Sequence, residues 1–319
     1  MVRIGKSELD VLPINLGGNV FGWTADKPTS FEILDAFVAG GGSFIDTADS
    51  YSAWVPGNKG GESETIIGEW MADRKPANVV IATKVGMHPE RSGQRAGNVR
   101  ASAEASLKNL GVETIDLYYI HKDDLETPLE ETIAAHAALV KDGLVRYTAL
   151  SNFTGDRVRE WIRIATEQGA PLPVALQPKY NLLDREPFEL DLRPVATELD
   201  LAVLPFASLA NGFLSGKYRD QAAIDAGSSP RAGGLSAYAT EPGFALIDTL
   251  DDIAKSKGVS ITAVSLAALR NRPGITAPLA SASRAEQVAD LLASASLELS
   301  DDEIAAIDDA ASRATPGGK

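Results

Sequence analysis

The chain has 319 residues, 44% hydrophobic and 23% charged, which is the make-up of a water-soluble globular protein large enough for two small domains or one α/β barrel. Its net charge of -14 disfavours non-specific binding to nucleic acid or to anionic membrane surfaces, which would repel it. With no cysteine and only His88, His121 and His136 as histidines, disulfides and thiolate sites are excluded, a zinc centre is disfavoured, and no metal is expected.

Residues Val2 to Leu12 alternate around Gly5-Lys6-Ser7 and read as a small N-terminal β-hairpin, followed by a buried strand at Ile14 to Gly18. From there the order is regular. A helix over about 29–40, opened by a Thr or Ser N-cap, feeds a strand at Ser43 to Asp46, and a helix over about 61–73 leads to a strand ending at Lys84. Helix 98–110 stops at Gly111 before Ile115–Ile120, which closes on His121. Helix 129–141, opened by Pro128, precedes the strand Leu144 to Leu150, which runs into Ser151-Asn152. Helices over 155–168 and 188–199 precede strands at Val174 to Gln177 and Leu201 to Phe206. A long Ala-, Gly- and Ser-rich stretch holds Gln221 to Pro242, then helices over 244–257 and 260–270 lead to a last strand at Ile275 to Leu279.

Eight strands alternating with helices predict a (β/α)8 TIM barrel in one domain spanning 1–319, rather than a doubly wound sheet. The Rossmann fingerprint is missing: after the first strand the sequence runs Leu16-Gly17-Gly18-Asn19-Val20-Phe21-Gly22, whose spacing does not match G-x-G-x-x-G. The longer loops, 52–60, 86–97, 122–127 and 215–242, all follow strands, where a barrel keeps its active rim.

Three strands share one grammar. The run before Asp46, the run before Lys84 and the run before His121 each bury β-formers and then deliver an ionisable group at the C-terminal edge, with Tyr51 five residues past Asp46. Together these four groups suit proton transfer to a carbonyl oxygen, which needs an acid as negative charge develops there. Tyr51 is the candidate acid, Lys84 the cation that would make it a stronger one, Asp46 the partner that keeps Lys84 charged, and neutral His121 a donor to the same oxygen. His136 falls mid-helix and reads as structural. A glycoside hydrolase using Asp46 with Glu62 or Glu64 is a rival reading, but it gives Lys84, Asn152 and Gln177 nothing to do.

At FIDTADSY, IATKVG and IDLYYIH the chain resembles the aldo-keto reductase family, and the likeness continues through SNF at 151–153, the strand ending at Gln177, PFASLANGFLSGKY and PLASASRAEQVADLL. The resemblance implies a TIM-barrel oxidoreductase acting on a carbonyl (aldehyde, ketone or sugar-like) and alcohol pair, with Asp46, Tyr51, Lys84 and His121 as catalytic tetrad and NADP(H) extended across the rim. It further implies that Ser151, Asn152 and Gln177 hold the nicotinamide carboxamide and that Phe206 stacks on the ring, where many relatives have Tyr or Trp. Ser208, Leu209, Gly212 and Lys217 would line the pyrophosphate path, although Ser208 and Leu209 also read as ordinary loop packing. Ser281, Ser283, Arg284 and Gln287 would meet the 2'-phosphate, with Asp290 at the adenine. Gln287 stands where some relatives have Arg, and Leu291 replaces an Asn, so use of NAD(H) alongside NADP(H) is left open. Some relatives of this fold are NADP(H)-binding regulatory subunits of membrane channels, which is the non-catalytic alternative.

For substrate, Trp23 and Trp54 would form an apolar wall or simply cover the barrel mouth, with His88, Asp49, Arg91, Lys122 and Asp123 as polar contacts, a mixed rim that suits a sugar-like or small polar carbonyl. The partner expected is a small-molecule carbonyl or alcohol, with no nucleic acid and no membrane, in a monomer or homo-oligomer. Residues 1–10 lack the apolar core of a secretory leader and no run approaches membrane-span length, so a cytoplasmic location is expected.

Overall fold

The computed structural model describes residues 1–225 and 234–314; residues 226–233, within the long stretch after Gln221, and 315–319 lie outside the described residues. The chain opens with the antiparallel pair β1 (Val2–Arg3) and β2 (Asp10–Val11). It continues through β3 (Asn15–Gly17), α1 (Lys27–Ala39), β4 (Phe44–Asp46), α2 (Glu62–Arg74) and β5 (Val80–Val85). A small antiparallel pair, β6 (Met87–His88) and β7 (Arg91–Ser92), stands in the loop after β5. Then come α3 (Ala96–Leu110), β8 (Ile115–Ile120), α4 (Leu129–Lys141), β9 (Val145–Ser151), α5 (Gly155–Gln168) and β10 (Ala175–Gln177). The remainder is α6 (Arg193–Leu199), β11 (Ala202–Val203), α7 (Gln221–Asp225), α8 (Glu241–Lys257), α9 (Ile261–Arg270), β12 (Leu279–Ala280), α10 (Val288–Ser294) and α11 (Asp301–Ala314).

The main sheet has the order β11-β10-β9-β8-β5-β4-β3-β12, with every pairing parallel. Its two ends meet through backbone bonds from the Thr276 N–H to the Val203 carbonyl (2.9 Å) and from the Leu279 N–H to the Pro205 carbonyl (2.9 Å), so the sheet closes into the (β/α)8 barrel. Closure leaves no exposed strand edge to satisfy.

Inside the barrel, Phe44, Ala82, Leu117, Tyr119, Ala149, Ala175, Ala202 and Leu204 pack into one cluster, and the hairpin adds Ile4, Leu9 and Val11 to it from below. The hairpin therefore plugs the N-terminal end. Gly5 makes this possible: its φ is +51°, and a Cβ there would sit 2.2 Å from the Val174 carbonyl oxygen.

Several expected boundaries move for identifiable reasons. Helix α1 starts two residues earlier than expected because Asp26, not a Thr or Ser, is its N-cap and accepts from the Thr29 N–H at 3.0 Å. The helix expected over 188–199 is a π-helical turn, Pro187–Leu192, that passes into α6. Pro194 has no N–H to give to the preceding turn, which disfavours regular α spacing there. The last strand pairs with β3 only at Leu279 and Ala280, later than the expected 275–279, because the N–H groups of Thr276, Ala277 and Leu279 close the barrel and Pro278 has none. Helix α11 and the β6–β7 pair were not foreseen. The former packs Ile307, Ala310, Ala311 and Ala314 against the cluster around α8.

Candidate active site

Counting by two along each strand explains how the site is assembled. In a strand, alternate residues share a face, so the residue two places past an inward-facing core residue is the next one up the barrel axis. Phe44 is followed in this way by Asp46, Ala82 by Lys84, Tyr119 by His121, Ala149 by Ser151 and Ala175 by Gln177. On these five strands the interior is thus apolar up to the last layer, where each presents a polar group.

Asp46 and Lys84 lie fully buried at the floor of this layer. The Lys84 ammonium donates to Asp46 Oδ1, to the Thr47 carbonyl at 2.9 Å and to the Tyr51 hydroxyl at 2.7 Å, which uses all three of its N–H bonds. Asp46 is held from the other side by the Gln177 amide, which donates to Oδ2 at 2.8 Å. Tyr51 is half-buried, with its hydroxyl 3.3 Å from Asp46 Oδ1. His121 stands edge-on to Tyr51 with ring centroids 6.0 Å apart, and its Nδ1 is 3.5 Å from the Ser50 hydroxyl. The four side chains expected to act together are brought together.

Burial dominates the electrostatics. It holds the Lys84 ammonium below its ordinary pKa, with Asp46 opposing, and holds His121 well below the usual histidine range with help from the Lys84 charge. Burial and the Asp46 carboxylate push the Tyr51 phenol well above its ordinary value. The sequence reading expected Lys84 to tune Tyr51 as an acid by stabilising its anion. In the folded site the lost hydration of the phenolate and the facing carboxylate outweigh that pull, so Tyr51 holds its proton firmly and His121 is neutral at neutral pH.

Above this floor a cavity of about 590 Å³ runs along the rim. Tyr51, His121 and Trp54 line its first part, with Ser151, Asn152 and Gln177 beside them. Asn152 has φ +57°, and its amide nitrogen donates to the His121 carbonyl at 2.9 Å and to Ser151 Oγ at 3.1 Å. Phe206, Ser208 and Leu209 line the middle, although Ser208 also bonds the Pro205 carbonyl at 2.9 Å. Gly212 and Lys217 follow; Gly212 has φ +94°, and a Cβ there would sit 3.3 Å from Lys217 Nζ, so glycine keeps backbone and cation together. Ser281, Ser283, Gln287 and Asp290 line the far end.

Three of the expected residues lie elsewhere. The Arg284 side chain is 71% exposed outside the cavity wall, beside Glu286 at 3.9 Å. His88 is buried under the loop, with its Nδ1 accepting from the Glu90 N–H at 3.1 Å, while its neighbour Met87 lines the cavity. Trp23 does not reach the wall but stands edge-on behind Trp54, with centroids 5.5 Å apart. Of the other polar candidates, Asp49 is buried and Asp123 is taken by the Arg157 guanidinium at 2.8 and 2.9 Å. Glu62 and Glu64 do not line the cavity either: Glu62 accepts from the Lys59 and Gly60 N–H groups, and Glu64 from Thr83 and Asn109.

The cavity also uses Asn19, Lys179, Asn211 and Thr262, which sequence reasoning missed. Asn19 lies two places past Gly17 and Lys179 two past Gln177, so the same alternation pointed to both. Asn19 accepts from the Ser281 hydroxyl, and Lys179 pairs with Asp184 at 3.0 Å. Asn211 and Thr262 come from a tight turn and a helix that only the tertiary fold brings to the rim. The residues fit an extended nicotinamide dinucleotide: an amide and hydroxyl cluster over Tyr51, an aromatic side chain, a glycine with a cation beside it, and a hydroxyl-rich end.

The chain matches the profile of the Aldo/keto reductase family over residues 13–312. It is 32% identical over 307 residues to the uncharacterized oxidoreductase YrpG of Bacillus subtilis (strain 168), covering 93% of this chain and 91% of that one. It is 30% identical to the putative aryl-alcohol dehydrogenase AAD14 of Saccharomyces cerevisiae, over 92% of this chain and 81% of that one. It is also 27% identical to a probable voltage-gated potassium channel subunit beta of Oryza sativa subsp. japonica, over 90% of this chain and 88% of that one.

Proposed function

The chain belongs to the aldo/keto reductase family, whose members are oxidoreductases using nicotinamide cofactors, and from that premise we propose an NADP(H)-dependent interconversion of a carbonyl and an alcohol in which Tyr51 is the general acid and base. The observation that carries the reading is the Lys84 ammonium bonded to both Tyr51 and Asp46 directly beneath the cavity. When bound, the nicotinamide cofactor would supply the hydride in reduction or accept it in oxidation. As charge develops on the oxygen, Tyr51 gives up its proton, because an alkoxide is a far stronger base than even a phenolate disfavoured by burial. Lys84 stabilises the phenolate left behind, and Asp46, anchored by Gln177, keeps Lys84 charged and aimed. In the tautomer whose Nδ1 accepts from the Ser50 hydroxyl, neutral His121 offers its Nε2 N–H as a hydrogen-bond donor to the same oxygen. In oxidation the steps reverse.

Ser151, Asn152 and Gln177 would seat the carboxamide, Phe206 the nicotinamide face, and Lys179 and Lys217 the phosphates. Preference for the 2'-phosphate rests on Ser283 and on Arg284, which stands free of the wall to swing onto a dianion. Gln287 is already committed to the Ser283 and Arg284 N–H groups at 2.8 and 3.2 Å, so NAD(H) remains usable at lower affinity. The substrate reading is an apolar, flat carbonyl rather than a sugar. Trp54 and Met87, 52% and 48% exposed, stand at the mouth beside Tyr51, while His88, Asp49 and Asp123 are turned away or paired. One barrel domain acting in the cytoplasm completes the reading. Among the described residues no helix is long and apolar enough to cross a membrane.

A panel of aromatic aldehydes, aliphatic aldehydes and aldoses, followed by cofactor absorbance with NADPH and NADH in parallel, tests this. Faster turnover of aromatic aldehydes with NADPH is expected, and preference for aldoses would reverse the substrate reading. The channel-subunit relative favours a second reading, a cofactor-binding regulatory chain. Tight cofactor retention without turnover on the whole panel would favour that one.

A further inference from the structure

Beside Lys84, among residues that do not line the cavity, lies a cluster of buried polar groups that the proposed chemistry does not use. Asp49 belongs to the turn between Asp46 and Tyr51 and is 1% exposed, its backbone N–H bonded to the Lys84 carbonyl at 3.2 Å. Neither of its carboxylate oxygens has a hydrogen-bond partner of good geometry. The groups facing it come from every surrounding element: Glu64 from α2, Lys84 from β5, Arg91 from β7 and Tyr118 from β8. Arg91 Nε and the Tyr118 hydroxyl are buried there without partners too. Glu64 is fully buried and held by the Thr83 hydroxyl at 2.6 Å and the Asn109 amide at 3.1 Å. So many unpaired polar atoms in one place cost several kcal/mol unless water bridges them or the carboxyls are neutral.

We propose that Asp49 is a positioning residue for the proton chemistry of Tyr51: a buried carboxyl in the polar cluster beside Lys84, whose gain or loss of a proton sets how firmly Lys84 and Tyr51 hold theirs. All three Lys84 N–H bonds point elsewhere, so the coupling is through charge and not through a direct bond. Burial first, then the Glu64 carboxylate, pushes Asp49 up to about 8, against the pull of Arg91, Lys84 and the Ser50 N–H. At neutral pH Asp49 is then protonated and adds no charge. As pH rises through that value it ionises and places a negative charge beside Lys84, which strengthens the hold of the ammonium and the phenol on their protons. The competence of Tyr51 as an acid thereby extends to higher pH.

The proposal rests on the Tyr51 reading above, and the tests separate the two. Infrared spectroscopy of the cofactor-free protein should show a protonated carboxyl stretch at pH 6.5 that fades as pH passes about 8 and is lost in Asp49→Asn. The pH profile of kcat/KM for carbonyl reduction should lose its alkaline extension in Asp49→Asn, its upper limb moving down by about one pH unit, which is a tenfold change in proton affinity. An unchanged limb overturns the proposal. So does the absence of a titrating carboxyl in the unaltered protein, a measurement that stands even if Asp49→Asn does not fold. If Tyr51→Phe kept full activity while the infrared signal behaved as expected, the function reading would fail and the titrating cluster would stand.

Discussion

The two ends of the barrel are built from the same strands and do opposite things. At the floor the hairpin presses Ile4, Leu9 and Val11 onto the apolar cluster of the interior, with Gly5 against the Val174 carbonyl. At the rim, one side-chain layer higher, the same strands bury Asp46 and Lys84 at 0% exposure, a desolvated ion pair that a stability-driven design would replace with apolar groups. The difference teaches that stability and chemistry are divided along the barrel axis, and that the boundary between them is a single two-residue step on each strand.

The largest effect expected from the rim is Tyr51→Phe. It should lower kcat for carbonyl reduction by about 10³-fold, by removal of the acid, with little change in Tm. A matching loss of thermal stability would show that the rim is structural as well. At the floor, Gly5→Ala should do the reverse, destabilising the fold by about 2 kcal/mol because of positive φ and the clash with the Val174 carbonyl, while kcat of the folded protein is retained. Chemical denaturation and steady-state kinetics on the same sample check both halves.

Between the ends, His136 on α4 supplies a pH test of burial without chemistry. It is 2% exposed, its Nε2 lies 3.1 Å from Gln94 Oε1, and burial lowers its pKa to about 3. The unfolded chain takes up a proton there near the ordinary histidine pKa while the folded chain does not, so stability is full above that value and falls as pH drops toward the folded one. About 2 kcal/mol should be lost by pH 5, at roughly 1.4 kcal/mol per pH unit. Denaturation midpoints between pH 7 and 5 should fall less steeply in His136→Gln. The smallest effect belongs to the far end of the cavity: Arg284→Ala should raise KM for NADPH about tenfold and leave KM for NADH nearly unchanged. Equal changes for both would mean that Arg284 does not read the 2'-phosphate.

Much of the molecule was legible in one dimension. The alternation of buried runs with amphipathic stretches, one of them stopped by Gly111, marked the barrel, because strand and helix periods and αL stops are local properties of the chain. Asp46, Lys84 and His121 were readable because a barrel strand carries its site residue at its own C-terminal end. What depended on distant packing was not readable: His88 turned under its loop while Met87 reached the cavity, and Asp123 was captured by Arg157. The sense of the Tyr51 shift belongs here as well. It follows from how much water the closed rim excludes, and that is a sum over residues from every strand.

By itself, then, the sequence determined the repeat of elements, the family pattern and which side chains sit at strand ends, since each follows from periodicity over a few residues. Only the tertiary structure decided that Gln177 grips Asp46 from 131 positions away, that Arg284 stands outside the cavity wall, and that Asp49 is buried beside Lys84 rather than offered to substrate. Those outcomes depend on which groups share a desolvated volume, and a volume is a property of the closed barrel and not of any one strand.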